Sequence, residues 1–176
     1  LAQVKRAITL SREAGAAHPM LETLFRSAIS AGKEIRSTVR LTSLPTSAAS
    51  QGVALLRQHL GSLEGKRAIV IGNGEMGKLS ARLLHEAGCQ VMVTLRTYRH
   101  GETVVPSGCE AQPYDRRFEL LDGVDILVSA TASPHYTITV EQLESVAQLP
   151  QVMVDLAIPR DIEPQVGQLP GVKLFN

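Results

Sequence analysis

The stretch Arg67-Ala68-Ile69-Val70-Ile71-Gly72-Asn73-Gly74-Glu75-Met76-Gly77 decides the fold of this chain. Arg67 to Ile71 is a short, nearly all-apolar run, the pattern of a strand covered on both faces. Beyond it, Met76, Leu79, Leu83 and Leu84 recur at helical spacing. Between strand and helix lies G-x-G-x-x-G. Gly72 allows a tight turn out of the strand, Gly74 lets another group approach the bare backbone, and Gly77 lets the helix pack close to the sheet. Unpaired N–H groups at the helix start then present a favourable dipole to an anion. The spacing alone is a weak signal, and a bare structural turn is the alternative. With a strand before it and a helix after it, the stretch reads as a dinucleotide-binding turn in which Gly72, Asn73, Gly74, Glu75, Met76 and Gly77 are candidate cofactor contacts.

The strand–helix rhythm continues along the chain. Gln90–Thr94 is expected as a second strand, Cys109–Gln112 as a short third, Val124–Ser129 as a fourth and Val152–Ala157 as a fifth. Phe118 and Leu121 mark a small helix, Thr139–Val146 a longer one, and the run from Val172 to Asn176 reads as a further strand. The expected class is α/β, a Rossmann-like doubly wound parallel sheet with both faces covered and right-handed crossovers.

Helices precede the sheet. Leu1, Val4 and Ile8 share one helical face, and Gly15 is expected to end that helix. Pro19 opens a second helix with an apolar face of Met20, Leu21, Leu24, Phe25, Ala28, Ile29 and Ile35. Thr46 or Ser47 caps a third, carrying Ala49, Val53, Leu56 and Leu60. The domain division drawn from this is a helical linker at 1–60, the edge of a further domain, and an NAD(P)-binding domain at 61–176.

Residues 1–60 hold eight Lys/Arg against three Asp/Glu, while the rest of the chain is acidic on balance. Lys33, Arg36 and Arg40 crowd the end of the second helix, where they suit its dipole and could meet phosphate; a solvated helix face is the alternative. Only three Tyr, three Phe and no Trp argue against a module that stacks nucleic-acid bases on exposed aromatics. Cys89 and Cys109 lack companions at metal-ligand spacing, and no metal site is expected. Cys89 reads as a small buried hydrophobe and both cysteines as free thiols, in keeping with a cytoplasmic protein that has no membrane span.

In parallel sheets of this kind ligands bind beyond the carboxyl ends of the strands. The second strand runs into Leu95-Arg96-Thr97-Tyr98-Arg99, with no acid between Gly88 and Gly101 to accept from a ribose diol. Arg96, 24 residues beyond Gly72, and Arg99 can fork onto a 2′-phosphate, so Arg96, Thr97 and Arg99 are candidate contacts and NADP(H) is favoured over NAD(H). Solvated loop arginines are the alternative. After the fourth strand, Ser129-Ala130-Thr131-Ala132-Ser133-Pro134 supplies small residues that let ribose and nicotinamide approach, with Thr131 and Ala132 as candidates. Asp155, inside an apolar strand, is expected to accept hydrogen bonds from loop amides rather than to act in catalysis.

These pieces, in this order, resemble glutamyl-tRNA reductase, which begins the five-carbon route to tetrapyrroles (porphyrins). Leu1-Ala2-Gln3-Val4-Lys5 looks like the end of the family's I-L-G-Q-V-K segment. Leu24-Phe25 through Gly32-Lys33-Glu34-Ile35-Arg36 looks like its L-F-x-x-A…G-K-x-V-R stretch, and Gly72–Gly77 like its G-A-G-E-M-G. Leu95-Arg96-Thr97 stands where the family has N-R-T, with Leu95 replacing the Asn. Asp155-Leu156-Ala157-Ile158-Pro159-Arg160-Asp161-Ile162-Glu163-Pro164 is very close to D-L-A-V-P-R-D-I-D-P, the most specific of these motifs. Ser37-Thr38-Val39 departs from the family's T-E-T-like segment.

The resemblance implies NADPH-dependent reduction of glutamyl-tRNA to glutamate-1-semialdehyde through a thioester on a cysteine of an N-terminal domain. It implies that Gln3 matches a residue touching the glutamyl substrate. Neither Cys89 nor Cys109 matches the nucleophile, so no catalytic residue is assigned within this chain, which is expected to bind cofactor without turnover. It further implies glutamate-1-semialdehyde aminotransferase as a partner and a homodimer formed through a C-terminal helical domain. The alternatives are an oxidoreductase resembling shikimate dehydrogenase, and a non-catalytic NAD(P)-binding sensor or assembly domain. The shikimate-type enzymes need a preceding α/β domain, and residues 1–60 read as helices without strands.

Overall fold

Ala68 and Val70 bury their side chains against one layer of helices and Ile69 and Ile71 against another, because successive residues of a strand face opposite sides of a sheet. The computed structural model describes residues 2–38, 47–95 and 105–176, and they fall into two compact units, 1–45 and 46–176.

In the first unit, α1 (Ala2–Glu13) is followed by α2 (Pro19–Thr38). Gly15, at φ +67°, ends α1 by donating its N–H to the Arg12 carbonyl, a left-handed stop that suits glycine. The Arg12 guanidinium forks onto Glu22 across this turn, with both nitrogen–oxygen contacts at 2.6 Å or less. That hydrogen bond holds the Glu22 carboxyl below its ordinary value. Of the expected apolar faces Ile8 is buried, while Met20, Leu24 and Ile35 are exposed in this unit.

The second unit begins with α3 (Ala48–Leu60), whose N-cap Ser47 accepts from the Ser50 N–H. The sheet comprises β1 (Arg67–Ile71), β2 (Gln90–Leu95), β3 (Glu110–Pro113), β4 (Ile126–Ser129), β5 (Val152–Asp155) and β6 (Lys173–Phe175). All are parallel, in the order β3-β2-β1-β4-β5-β6. The order reverses between β1 and β4, so the Rossmann-like doubly wound architecture is as expected, with its switch point at those two strands. α4 (Glu75–Glu86) follows β1 and packs with α3 over Ala68, Val70, Val91 and Val154. Ile69, Ile71, Leu127 and Met153 face the opposite layer, which includes α5 (Val140–Leu143).

The second unit includes α3, whose Val53 and Leu56 are core residues packed with the sheet. Two expectations need correction. The helix expected over Thr139–Val146 is the single turn α5; its start is a capping box of Thr139 and Gln142, and it then tightens as Val146 N–H bonds the Leu143 carbonyl. Strand β5 stops at Asp155 rather than Ala157, because the Asp155 carboxylate takes the Ala157 N–H and bends the chain. No helix among the described residues is long and apolar enough to cross a membrane.

Candidate functional site

The carboxyl ends of β1 and β4 sit side by side, with Ile71 opposite Ser129. From β1 the chain turns at Gly72, whose φ of +104° is a conformation that side chains resist. A Cβ there would lie 2.5 Å from the Ala130 carbonyl oxygen, so glycine is what lets the two strand-end turns touch. A Cβ on Gly77 would collide with the Gly72 carbonyl, so Gly77 brings the first turn of α4 against the turn itself. Gly74 differs from both. It is exposed, it caps α4, and nothing lies within 4 Å of where its Cβ would be.

The first intrahelical bond of α4 runs from Lys78 N–H to the Gly74 carbonyl. The amides of Glu75, Met76 and Gly77 therefore precede the helical ladder and open toward the space over Gly74, as an anion cradle requires. Glu75 is exposed in this first turn. Lys78 and Arg82, one turn apart on α4, line a cleft of about 580 Å³ with Met76, Val105 and Pro106. These two cations were not singled out from sequence, although their i, i+4 spacing was legible. Arg96, Thr97 and Arg99 lie outside the described residues, as does Arg40.

On the other side of the switch point, Thr131 is already engaged. Its N–H and hydroxyl both donate to Asp161, at 2.8 and 2.5 Å, and its oxygen accepts from the Ser133 N–H at 3.1 Å. The Thr131 side chain is thus a structural tie, and Ala132, exposed beside it, is the part of this turn left open to a ligand. Asp161 also receives the Ser129 hydroxyl at 2.7 Å and is fully buried. From sequence Asp161 has no role beyond its place in the Asp155–Pro164 motif; the signal that could have found it is the pairing of an acid after β5 with Ser and Thr at the end of the neighbouring strand.

Asp155 behaves as expected of an acceptor for loop amides: it takes the N–H groups of Ala157, Asp161 and Ile162 at 2.8–3.0 Å. Burial pushes its carboxyl above the ordinary value of 3.8, against the lowering effect of those amides, and the Asp161 charge adds to the rise. The native state therefore holds this proton to higher pH than the unfolded chain does. The stability linked to Asp155 is complete below 3.8 and is lost as pH rises through the folded value. Thermal unfolding of the chain and of Asp155→Asn across the acid range is expected to show the difference between them shifting toward the native chain at low pH; a pH-independent difference would contradict the raised carboxyl.

Neither cysteine is an activated nucleophile. Burial pushes the Cys89 thiol up to about 11, and burial raises Cys109 as well, whereas attack on an ester needs a thiolate at neutral pH. Gln3 is exposed on α1 in the other unit.

Comparison with known proteins resolves which kind of dehydrogenase-like domain this is. Residues 54–176 match the family model for shikimate / quinate 5-dehydrogenase, and residues 1–39 match that for the glutamyl-tRNAGlu reductase N-terminal domain. The chain belongs to the glutamyl-tRNA reductase family. Along its whole length it is 43% identical to a probable multifunctional siroheme biosynthesis protein HemA of Ruminiclostridium josui, covering 34% of that protein. It is 39% identical to the glutamyl-tRNA reductase of Alkaliphilus oremlandii, covering 52% of it. The solved glutamyl-tRNA reductase of Methanopyrus kandleri superposes on 99% of this chain with a TM-score of 0.64 at 35% identity, over 45% of its own length. The chain thus spans about a third to a half of the length of these relatives. The family is one of oxidoreductases, and a dehydrogenase-type domain of this fold implies a nicotinamide cofactor.

Proposed function

We propose that this chain is the NADP(H)-binding part of a glutamyl-tRNA reductase, a protein that reduces glutamyl-tRNA to glutamate-1-semialdehyde for tetrapyrrole synthesis. The observation that carries the reading is the open space over Gly74, floored by the leading amides of α4 and set at the β1/β4 switch point. A pyrophosphate fits that space, and three amides with a helix dipole behind them complement its charge.

In this reading the turn Gly72–Gly77, with Asn73 in it, holds the pyrophosphate through the backbone N–H groups of Glu75, Met76 and Gly77. Arg96 and Arg99, with Thr97, receive the adenosine 2′-phosphate, and Ala132, beside Thr131, faces the nicotinamide half. A bound nicotinamide supplies or accepts hydride. The residues of this chain orient it and exclude water, while the thiolate that forms the thioester comes from elsewhere in the full-length protein. Gln3, in the other unit, is assigned a contact with the glutamyl substrate. Glutamate-1-semialdehyde aminotransferase as a receiving partner, a homodimer of the full-length protein and a cytoplasmic location belong to the same proposal.

Calorimetric titration with NADPH and NADH tests the cofactor assignment. NADPH is expected to bind at least tenfold more tightly, about 1.4 kcal/mol, and Arg96→Ala is expected to erase most of that preference. Equal affinities that Arg96→Ala leaves unchanged would refute NADP(H). For the enzymatic reading, the full-length gene is expected to rescue a 5-aminolevulinate-requiring bacterium, and failure of a well-expressed protein to do so would favour a non-catalytic binding domain.

A further inference from the structure

Asp161 closes a loop from both ends. Its buried carboxylate accepts from the Ser129 hydroxyl and from the Thr131 N–H and hydroxyl, at the point where the chain leaves β4. Its own carbonyl accepts the N–H groups of Thr137 and Ile138, at 2.7 and 3.1 Å, where the chain returns. One residue therefore joins the two sides of the neck of the segment 132–136, and within that segment Ala132, Pro134, His135 and Tyr136 are exposed. The joint is reinforced further along: Ile138 and Ile162 form an isolated parallel bridge, and the Glu163 carboxylate accepts the Val140 N–H at 2.9 Å.

Asp161 is itself fixed from beneath. Its N–H, and that of Ile162, donate to Asp155 at the end of β5. Ala130, between the two residues whose side chains Asp161 holds, donates its N–H to Ile71 and sets its carbonyl against Gly72, contacts in which Asp161 takes no part. Three donors converge on the two oxygens of Asp161, and an amide in its place, with one acceptor oxygen, could not accept them all.

We infer that Asp161 is a positioning residue for hydride transfer: by clasping the neck of 132–136 it sets the turn against which the nicotinamide half of the cofactor rests. In doubly wound sheets the two halves of a dinucleotide lie on either side of the switch point, and Asp161 touches only the β4–β5 side. Its effect is consequently confined to one half of the ligand. This rests on the cofactor site proposed above.

The split between halves is the test. Binding of NADPH and of adenosine 2′,5′-bisphosphate, which lacks the nicotinamide half, is measured by calorimetry on the chain, on Asp161→Asn and on Thr131→Val. Asp161→Asn is expected to weaken NADPH at least tenfold while leaving the bisphosphate within twofold. Thr131→Val, which removes a single hydroxyl, is expected to weaken NADPH about threefold with the same selectivity. Equal losses for both ligands, or undiminished NADPH binding by folded Asp161→Asn, would overturn the inference. Should Asp161→Asn not fold, Thr131→Val decides by the same criterion. An unaltered chain that binds neither ligand would refute the cofactor site itself, whereas an unaltered chain that binds both with no split in the variants would refute only the role of Asp161.

Discussion

Alanine at Gly74 is expected to leave the fold standing and abolish most cofactor binding, while alanine at Gly77 is expected to damage the fold itself. The two positions lie three residues apart in one motif, yet their surroundings differ completely. A Cβ on Gly74 enters open space at an ordinary φ of −74°, so the cost is that of a poorer helix cap, about 1 kcal/mol or less. It would stand where a pyrophosphate must approach, and NADPH affinity is expected to fall by tenfold or more, about 1.4 kcal/mol. A Cβ on Gly77 instead meets the Gly72 carbonyl, and α4 must retreat from the turn. That overpacking is expected to cost about 3 kcal/mol, lowering the melting temperature by roughly 6–12 °C for a domain of this size. Thermal unfolding by circular dichroism and titration with NADPH separate the two. If Gly74→Ala binds NADPH as the native chain does, the space over Gly74 is not a phosphate site.

Asp155→Ala is expected to be among the most destabilising single changes in the second unit. The carboxylate takes three amide N–H groups in a site where Asp155 is 6% exposed, and alanine leaves all three without a partner. At about 1–3 kcal/mol for each buried unpaired group, softened by relaxation, the expected loss is about 4 kcal/mol in urea unfolding. Asp155→Asn retains one acceptor oxygen and is expected to recover part of it. A loss below about 1 kcal/mol for the alanine variant would show that the loop after β5 finds other partners. Because the amide of Asp161 is one of the three, release of Asp155 also loosens the neck above it.

Much of this arrangement was legible before the structure. β1 falls at Arg67–Ile71 as read, because a run of β-branched residues closed by glycine has one reasonable interpretation. Gly15, Pro19 and Ser47 mark helix ends through local chemistry alone, and Asp155 meets amides near it in sequence. What could not be read depends on contacts between distant parts of the chain. Asp161 lies 30 residues from Thr131, and only the adjacency of β4 and β5 makes an acid at a loop into a buried acceptor. For the same reason Thr131 reads as a small residue open to a ligand and is in fact tied down. α3 looked like linker because its amphipathic pattern says that one face is buried without saying against what; Val53 and Leu56 answer that only once the sheet is assembled. The direction of strand order, and hence which two turns flank the ligand, is likewise a property of the assembled sheet. The arginines proposed for the 2′-phosphate rest on sequence alone.

The clasp at Asp161 has a consequence for how such a protein diversifies. With the neck of 132–136 joined below by hydrogen bonds that do not involve the intervening side chains, those five positions form a cassette. Their length and chemistry can be exchanged at little more than the entropy of a longer loop, about 0.6 kcal/mol for each doubling, without disturbing any ladder of the sheet. A scaffold built this way can change the loop it presents beyond β4 while keeping the same foundation beneath it.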